Sequence, residues 1–250
     1  MNATPYDTIG RSYSATRRPD PRIAEQIRTA LGSAATVVNI GAGSGNYEPD
    51  DCDVVAVEPS MVMLQQRAAN AAPAVRGIAE ALPFADRSFD VALAVLTMHH
   101  WTDLERGLRE MMRVASRQVV FYFEPIFGGT LWLVKDYFPQ MLELGTEQRA
   151  PDCERLARTL DVQTTEVVMV PGDCADGFGG CFWNRPEVYL DPRVQDGMSS
   201  FAQLDPEIRA RGTDRLRHDL ESGAWDARYG SLRTQTEIDL GYRLLSAGLP

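Results

Sequence analysis

Apolar positions along this 250-residue chain fall into short, nearly continuous runs separated by glycine, proline and polar clusters. Such runs mark strands buried on both faces of a parallel sheet. They predict strands at 36–40, 53–58 and 74–78, a central one through Phe89–Leu96, and a fifth from Gln118 to Glu124. Helical signals lie between them. Pro19 and Pro21 precede a helix over 22–31, Ser60 is placed to cap one over 61–71, and Thr102-Asp103-Leu104-Glu105 matches a capping box. That last helix runs to about 115, with Trp101, Leu104, Leu108, Met111 and Ala115 on one face. Strand and helix in alternation predict an α/β fold with a doubly wound sheet. Asp161–Val170 supplies a sixth strand and Ile238–Leu245 a seventh.

The sharpest local feature is Val37-Val38-Asn39-Ile40-Gly41-Ala42-Gly43-Ser44-Gly45-Asn46, followed by Val54-Val55-Ala56-Val57-Glu58-Pro59. A strand ends in a glycine turn, and the next strand ends in a carboxylate placed to meet a pair of ribose hydroxyls. A dinucleotide fingerprint needs glycine where Asn46 stands, and no Gly-Lys-Ser/Thr follows to make a phosphate loop. A ligand with a ribose and no pyrophosphate fits better. An NAD-type oxidoreductase is further disfavoured by the lack of a separate tyrosine–lysine pair.

These residues resemble the class I S-adenosylmethionine-dependent methyltransferases, whose first motif is G-x-G-x-G and whose second strand ends in an acid. Ala79-Glu80-Ala81-Leu82-Pro83-Phe84, with Asp86 and Ser88-Phe89-Asp90-Val91, is similar to their small-molecule, ubiquinone-biosynthesis-like branch. The resemblance covers most of 36–124 and implies a Rossmann-like sheet of about seven strands, mostly parallel with an antiparallel C-terminal strand. It also implies S-adenosylmethionine as cofactor. One departure is Ile78, where that branch often carries an aspartate for the adenine amine, leaving backbone groups at Ala79 and Glu80 to that task. The chain reads as one domain over 1–250: a cofactor-binding core at 36–124, an N-terminal cap at 1–35, and helical lid insertions at 125–150 and 171–237. The second insertion separates two strands that form a near-hairpin in the family, and connections this long carry function or structure of their own.

Composition narrows the partners. The formal charge is −10, Arg17-Arg18 is the only basic pair and Lys135 the only lysine, so a polyanionic substrate is disfavoured and small molecules stay open. Nucleic acid and membrane are not expected as partners, and oligomeric state is not encoded in any readable pattern. No apolar run approaches the ~18 residues of a membrane span and the start of the chain is polar, which makes a cytoplasmic protein the expectation. Cys52, Cys153, Cys174 and Cys181 lack metal-ligand spacing, and no metal site is expected.

Gly41, Ala42, Gly43, Gly45, Glu58, Pro59, Ala79, Glu80 and Leu96 all fall at the expected carboxyl ends of strands, where open α/β sheets bind ligands. The resemblance adds Tyr13 and Arg17, from a segment that folds over the cofactor's methionine end, with Arg17 suited to its carboxylate. Methyl transfer rests largely on proximity and orientation. A base helps only when the nucleophile must lose a proton, and His99 and His100 are the candidates, His100 preferred for its place before the helix. Tyr6, Trp132, Phe182 and Trp183 are expected to contact an apolar acceptor. The reading is methyl transfer to O, N or C of a small organic acceptor. Its alternatives are another use of the sulfonium, such as cyclisation, and a cofactor-binding regulator without turnover.

Overall fold

Along the central strands successive side chains enter two different cores, which fixes the layered architecture. The computed structural model describes residues 17–248. Strands β1 (Thr36–Ile40), β2 (Asp53–Glu58), β3 (Ala74–Arg76), β4 (Phe89–Val95) and β5 (Ala115–Phe123) pair in parallel. Val37, Leu93, Val119 and Phe121 enter one core, while Val38, Ala92, Ala94 and Val120 enter the other. That period of two, apolar on both sides, is what a sheet covered by layers on both faces requires.

Two further strands complete the sheet. β6 (Val162–Val167) and the C-terminal strand, β9 (Tyr242–Gly248), give the order β3-β2-β1-β4-β5-β9-β6. β9 runs antiparallel to both β5 and β6, so seven strands share one sheet with a single strand reversed. A pair of two-residue strands, β7 (Val170–Pro171) and β8 (Glu237–Ile238), forms a separate antiparallel clamp. The single strand expected over Asp161–Val170 therefore breaks after Val167, and that expected over Ile238–Leu245 breaks before Tyr242. The second break centres on Gly241 at φ +96°, where a Cβ would lie 2.5 Å from the Cβ of Phe127. Only glycine fits there.

The helices follow their caps. Asp20 caps α1 (Pro21–Leu31), which buries Ile23, Ile27 and Leu31 against the first core. Ser60 caps α2 (Met61–Gln65) as expected, but the helix stops far short of 71. Just past its end Arg67 turns into a buried ion pair with Glu48 at 2.8 Å and onto the Ala72 carbonyl. In α3 (Leu104–Val114) the cap is Asp103, one residue later than expected, because the Thr102 hydroxyl donates to Glu80 instead.

The two insertions pack on each other and on the first core. The earlier one carries short turns at Pro125–Thr130, Leu133–Tyr137 and Pro139–Glu143, then α4 (Gly145–Arg149), and α5 (Cys153–Ala157) follows it on the way to β6. The later one carries α6 (Pro192–Asp196), α7 (Ser199–Gln203), α8 (Pro206–Glu221) and α9 (Ala224–Tyr229). Asp205 caps α8 with Pro206 in its first turn. Trp132 from the first insertion meets Trp225 from the second edge-on at 5.3 Å, and Phe138 meets Phe201 at 4.8 Å. Such aromatic pairs contribute about 0.5–1.5 kcal/mol each beyond the area they bury. Among the described residues no helix is long and apolar enough to cross a membrane, and no cluster of three His, Cys, Asp or Glu could hold a metal.

Candidate active site

The glycine turn sits at the carboxyl end of β1, pinned to β2. The amides of Gly41 and Ala42 both donate to the Val57 carbonyl, and the Gly45 amide returns to the Ala42 carbonyl. Gly41, Gly43 and Gly45 have φ of +69°, +54° and +97°, a region where a side chain is strained. Gly41 needs its bareness for a second reason. A Cβ there would fall 1.9 Å from Oγ1 of Thr97, which stands at the end of β4.

Glu58, at the end of β2, is 4% exposed. Its Oε2 accepts from the Gly43 amide at 2.9 Å and its Oε1 from the Ser60 amide at 2.8 Å. The carboxylate thus joins the glycine turn to the cap of α2, a structural tie at the strand end where a ribose was expected. Pro59 follows, its carbonyl accepting from Arg76 at 3.1 Å. Buried in the turn, the Asn46 side-chain nitrogen has no acceptor among the described residues. A nucleoside would supply one. Three positive-φ glycines, a strand-end carboxylate and this idle donor fit the adenosyl part of S-adenosylmethionine. Asn46 counted in the sequence only against NAD; its donor was not legible there.

After β3 the chain passes Ala79 and Glu80, both buried. Glu80 has a role that the sequence did not reveal. Its Oε1 accepts from the Thr102 amide at 2.7 Å, the Thr102 hydroxyl at 2.9 Å and the Asp103 amide at 3.1 Å. It closes the N-terminus of α3, where a carboxylate is favoured.

Beside the glycine turn, at the carboxyl ends of β4 and β5, lies a cavity of ≈ 140 Å³. Leu96, Thr97, Met98 and His99 form its base, and Phe178, Met198 and Phe201 of the second insertion close over it. Leu96 takes φ +48°, an unusual backbone state for a branched side chain, at the point where β4 gives way to the 3-10 turn Met98–His100. Thr97 belongs to both halves of the site: it touches Gly41 and lines the cavity.

The histidines divide. Their rings lie 3.9 Å apart, yet His99 lines the cavity while His100 does not. The ring on the cavity wall is thus that of His99, where the sequence had preferred His100. Burial, with Arg149 and Arg17 nearby, holds the His99 imidazole at about 4, so it is neutral at physiological pH. Burial beside His99 and Arg149 lowers His100 as well. A further cavity residue, Glu147 on α4, was not singled out in the sequence; burial alone raises its carboxyl.

Arg17 lines the cavity and is engaged by Asp176, which is fully buried. Its Nε donates to Oδ1 at 2.6 Å and its Nη2 to Oδ2 at 3.2 Å, while the Tyr47 hydroxyl donates to Oδ2 at 2.9 Å. Asp176 therefore offsets the charge expected to meet the cofactor's carboxylate. Tyr6 and Tyr13 lie outside the described residues.

Trp132 and Trp183 are not acceptor contacts in this arrangement. They are 3% and 0% exposed, absent from the cavity wall, and joined by a bond from Trp132 Nε1 to the Trp183 carbonyl at 2.8 Å. Phe182 is also off the wall, edge-on to Tyr189 with the Arg185 guanidinium 5.0 Å over its ring. Rings that large lower the free energy most when buried, and the insertions' own interior takes them. The wall instead uses Phe123, Phe178 and Phe201 with Leu131, Leu133 and Met141.

Comparison with known proteins agrees with this geometry. Residues 38–123 match the family described as Methyltransferase domain. A solved structure from Anabaena variabilis, assigned as a methyltransferase of an antibiotic biosynthesis pathway, superposes with a TM-score of 0.85 at 33% identity, covering 93% of this chain and 99% of that one. Methyltransferase YcgJ of Bacillus subtilis is 28% identical over 157 residues, 56% of either chain. Demethylmenaquinone methyltransferase of Mycolicibacterium vanbaalenii is 40% identical over 85 residues, 34% of either chain. The chain spans about half the length of the first curated relatives it matches, from 48% to 56%. With glycine turn, strand-end acid, seven-stranded sheet and a full-length structural relative in agreement, the chain belongs to the class I S-adenosylmethionine-dependent methyltransferases.

Proposed function

We propose that this protein transfers a methyl group from S-adenosylmethionine to a small organic acceptor held in the cavity between the sheet and its two insertions. The observation that carries this reading is the shared Thr97, which packs on Gly41 of the nucleoside turn and lines the acceptor cavity. Two binding spaces separated by one side chain are what an in-line displacement needs. Bound S-adenosylmethionine supplies a methyl on an already activated leaving group. The chain supplies the rest: Gly43, Glu58 and Asn46 hold the nucleoside, and Leu96 to His99 form the floor on which the acceptor lies. Residues 125–150 and 171–237 act as the lid that excludes water. His99, uncharged and facing the cavity, is the histidine placed to accept a hydrogen bond from the acceptor. The likeness to the Anabaena protein supports a small specialised metabolite as acceptor.

The test is incubation with methyl-labelled cofactor and extract of the source cell. Label in a small metabolite, with S-adenosylhomocysteine released, is expected. Label retained in a rearranged cofactor fragment would indicate another use of the sulfonium. Cofactor binding without any turnover would indicate a regulator.

A further inference from the structure

The cavity wall carries three acid–base side chains, Arg17, His99 and Glu147, and their partners are unequal. Arg17 is offset by Asp176. His99 is neutral. The Glu147 side chain makes no hydrogen bond or ion pair among the described residues, and no neighbouring cation contributes to the shift of its carboxyl. Of the hydroxyls on the wall, those of Thr97, Ser199 and Ser200 are neutral and cannot balance a carboxylate's charge, and the two phenols are engaged elsewhere. Tyr122 donates to Glu124 at 3.2 Å, and Tyr242 donates to the Gly179 carbonyl. Most of the remaining wall is hydrocarbon: Leu96, Met98, Leu133, Val134, Met141 and Met198.

A carboxylate ionised in such surroundings is costly unless a cation joins it. The cavity's ≈ 140 Å³ is close to the size of an engineered protein cavity that takes up one benzene ring. We propose that the acceptor is an amine on an apolar body of about one ring, with the Glu147 carboxylate as counter-ion to its ammonium group. This deepens the methyl-transfer reading and rests on it. In the step that follows, an ammonium N–H proton moves to a carboxylate oxygen of Glu147, leaving the electron pair on nitrogen. That pair forms the new N–C bond as the S–C bond breaks, its electrons staying on sulfur. Burial, by raising the Glu147 carboxyl, brings it closer to the ammonium in proton affinity and eases the transfer.

The experiment is calorimetry with three probes of one shape: 2-phenylethylamine, 2-phenylethanol and phenylacetate. Each is titrated into the protein with and without S-adenosylhomocysteine. In the unaltered protein the amine is expected to bind about tenfold or more tightly than the alcohol, a charge-assisted contact against a neutral one, and phenylacetate most weakly. Glu147→Gln should abolish the preference for the amine, Glu147→Asp should keep part of it, and both should bind S-adenosylhomocysteine as before. Equal binding of amine and alcohol, tighter phenylacetate, or an amine preference that survives Glu147→Gln would overturn the proposal. So would absence of binding by all three probes in protein that binds S-adenosylhomocysteine. Loss of S-adenosylhomocysteine binding alone, with the amine preference intact, would instead overturn the methyl-transfer reading.

Discussion

Replacing Gly41 with alanine tests whether the nucleoside turn and the acceptor cavity are mechanically joined. Two separate costs arise. An L-residue at φ +69° is strained by roughly 1–2 kcal/mol. The new Cβ would also lie 1.9 Å from Thr97 Oγ1 and 2.8 Å from its Cβ, an overpacking that costs about 1–3 kcal/mol as the threonine is displaced. The expected loss for Gly41→Ala is therefore about 2–5 kcal/mol. Gly43→Ala is the control. Its φ is +54°, but its nearest neighbour is the flexible end of Met63 at 3.3 Å, so about 1–2 kcal/mol of backbone strain is expected alone. The double variant Gly41→Ala/Thr97→Ala removes Oγ1 and the branch methyl, leaving only the Cβ contact, and should recover part of the gap. Urea denaturation at constant m value measures all three, and calorimetry with 2-phenylethylamine reports whether displaced Thr97 intrudes on the cavity. Equal destabilisation by Gly41→Ala and Gly43→Ala, with cavity binding unchanged, would refute the coupling.

Three other outcomes are expected. Asp176→Ala strands Arg17 without its buried counter-charge and should cost about 3–5 kcal/mol in denaturant; a loss under about 1 kcal/mol would show that the pair is not needed. Glu58→Ala should cost roughly 1.5–3 kcal/mol of S-adenosylhomocysteine affinity and also some stability, since the Gly43 and Ser60 amides lose their acceptor; an affinity within twofold of the original would remove Glu58 from the ribose. For His99, burial first and then Arg149 and Arg17 hold the folded-state value at about 4, against an ordinary 6.5. The unfolded chain therefore takes up the proton first, and stability should fall as pH drops from 6.5 towards 4; His99→Gln should flatten that acid slope, and an unchanged slope would mean that the ring is not buried neutral.

The sheet was legible because its signal is local. Val37 and Val38, or Leu93 and Ala94, serve opposite cores, and nothing further along the chain can cancel that pattern. Glycine turn, Glu58 and Ser60 cap were legible for the same reason. What escaped is set by distant packing. Glu147 sits in a short helix beside ordinary polar neighbours, and only the docking of that helix beside Met98–His100 brings it to the cavity. Asp176 looks like any loop aspartate until Arg17 and Tyr47 converge on it. Trp132 and Trp183 misled because an aromatic in an insertion carries the same composition signal whether it faces a ligand or another ring. The break at Gly241 follows from Phe127, more than a hundred positions away.

The two-residue clamp of β7 and β8 pairs Val170 with Ile238 and Pro171 with Glu237. It makes the two ends of the long second insertion neighbours before the chain returns to the sheet. Everything between them is a closed excursion, and lengthening such a loop costs little, each doubling about 0.6 kcal/mol. The part of this excursion beyond Gly179 can therefore be resized while β6 and β9 keep their register, with Asp176 kept to hold Arg17 and Tyr47. With Asp176 in place, Tyr47 at the end of the nucleoside turn keeps its partner. On the proposed reading, acceptor range could diversify by replacing this distal cassette while the nucleoside platform stays constant.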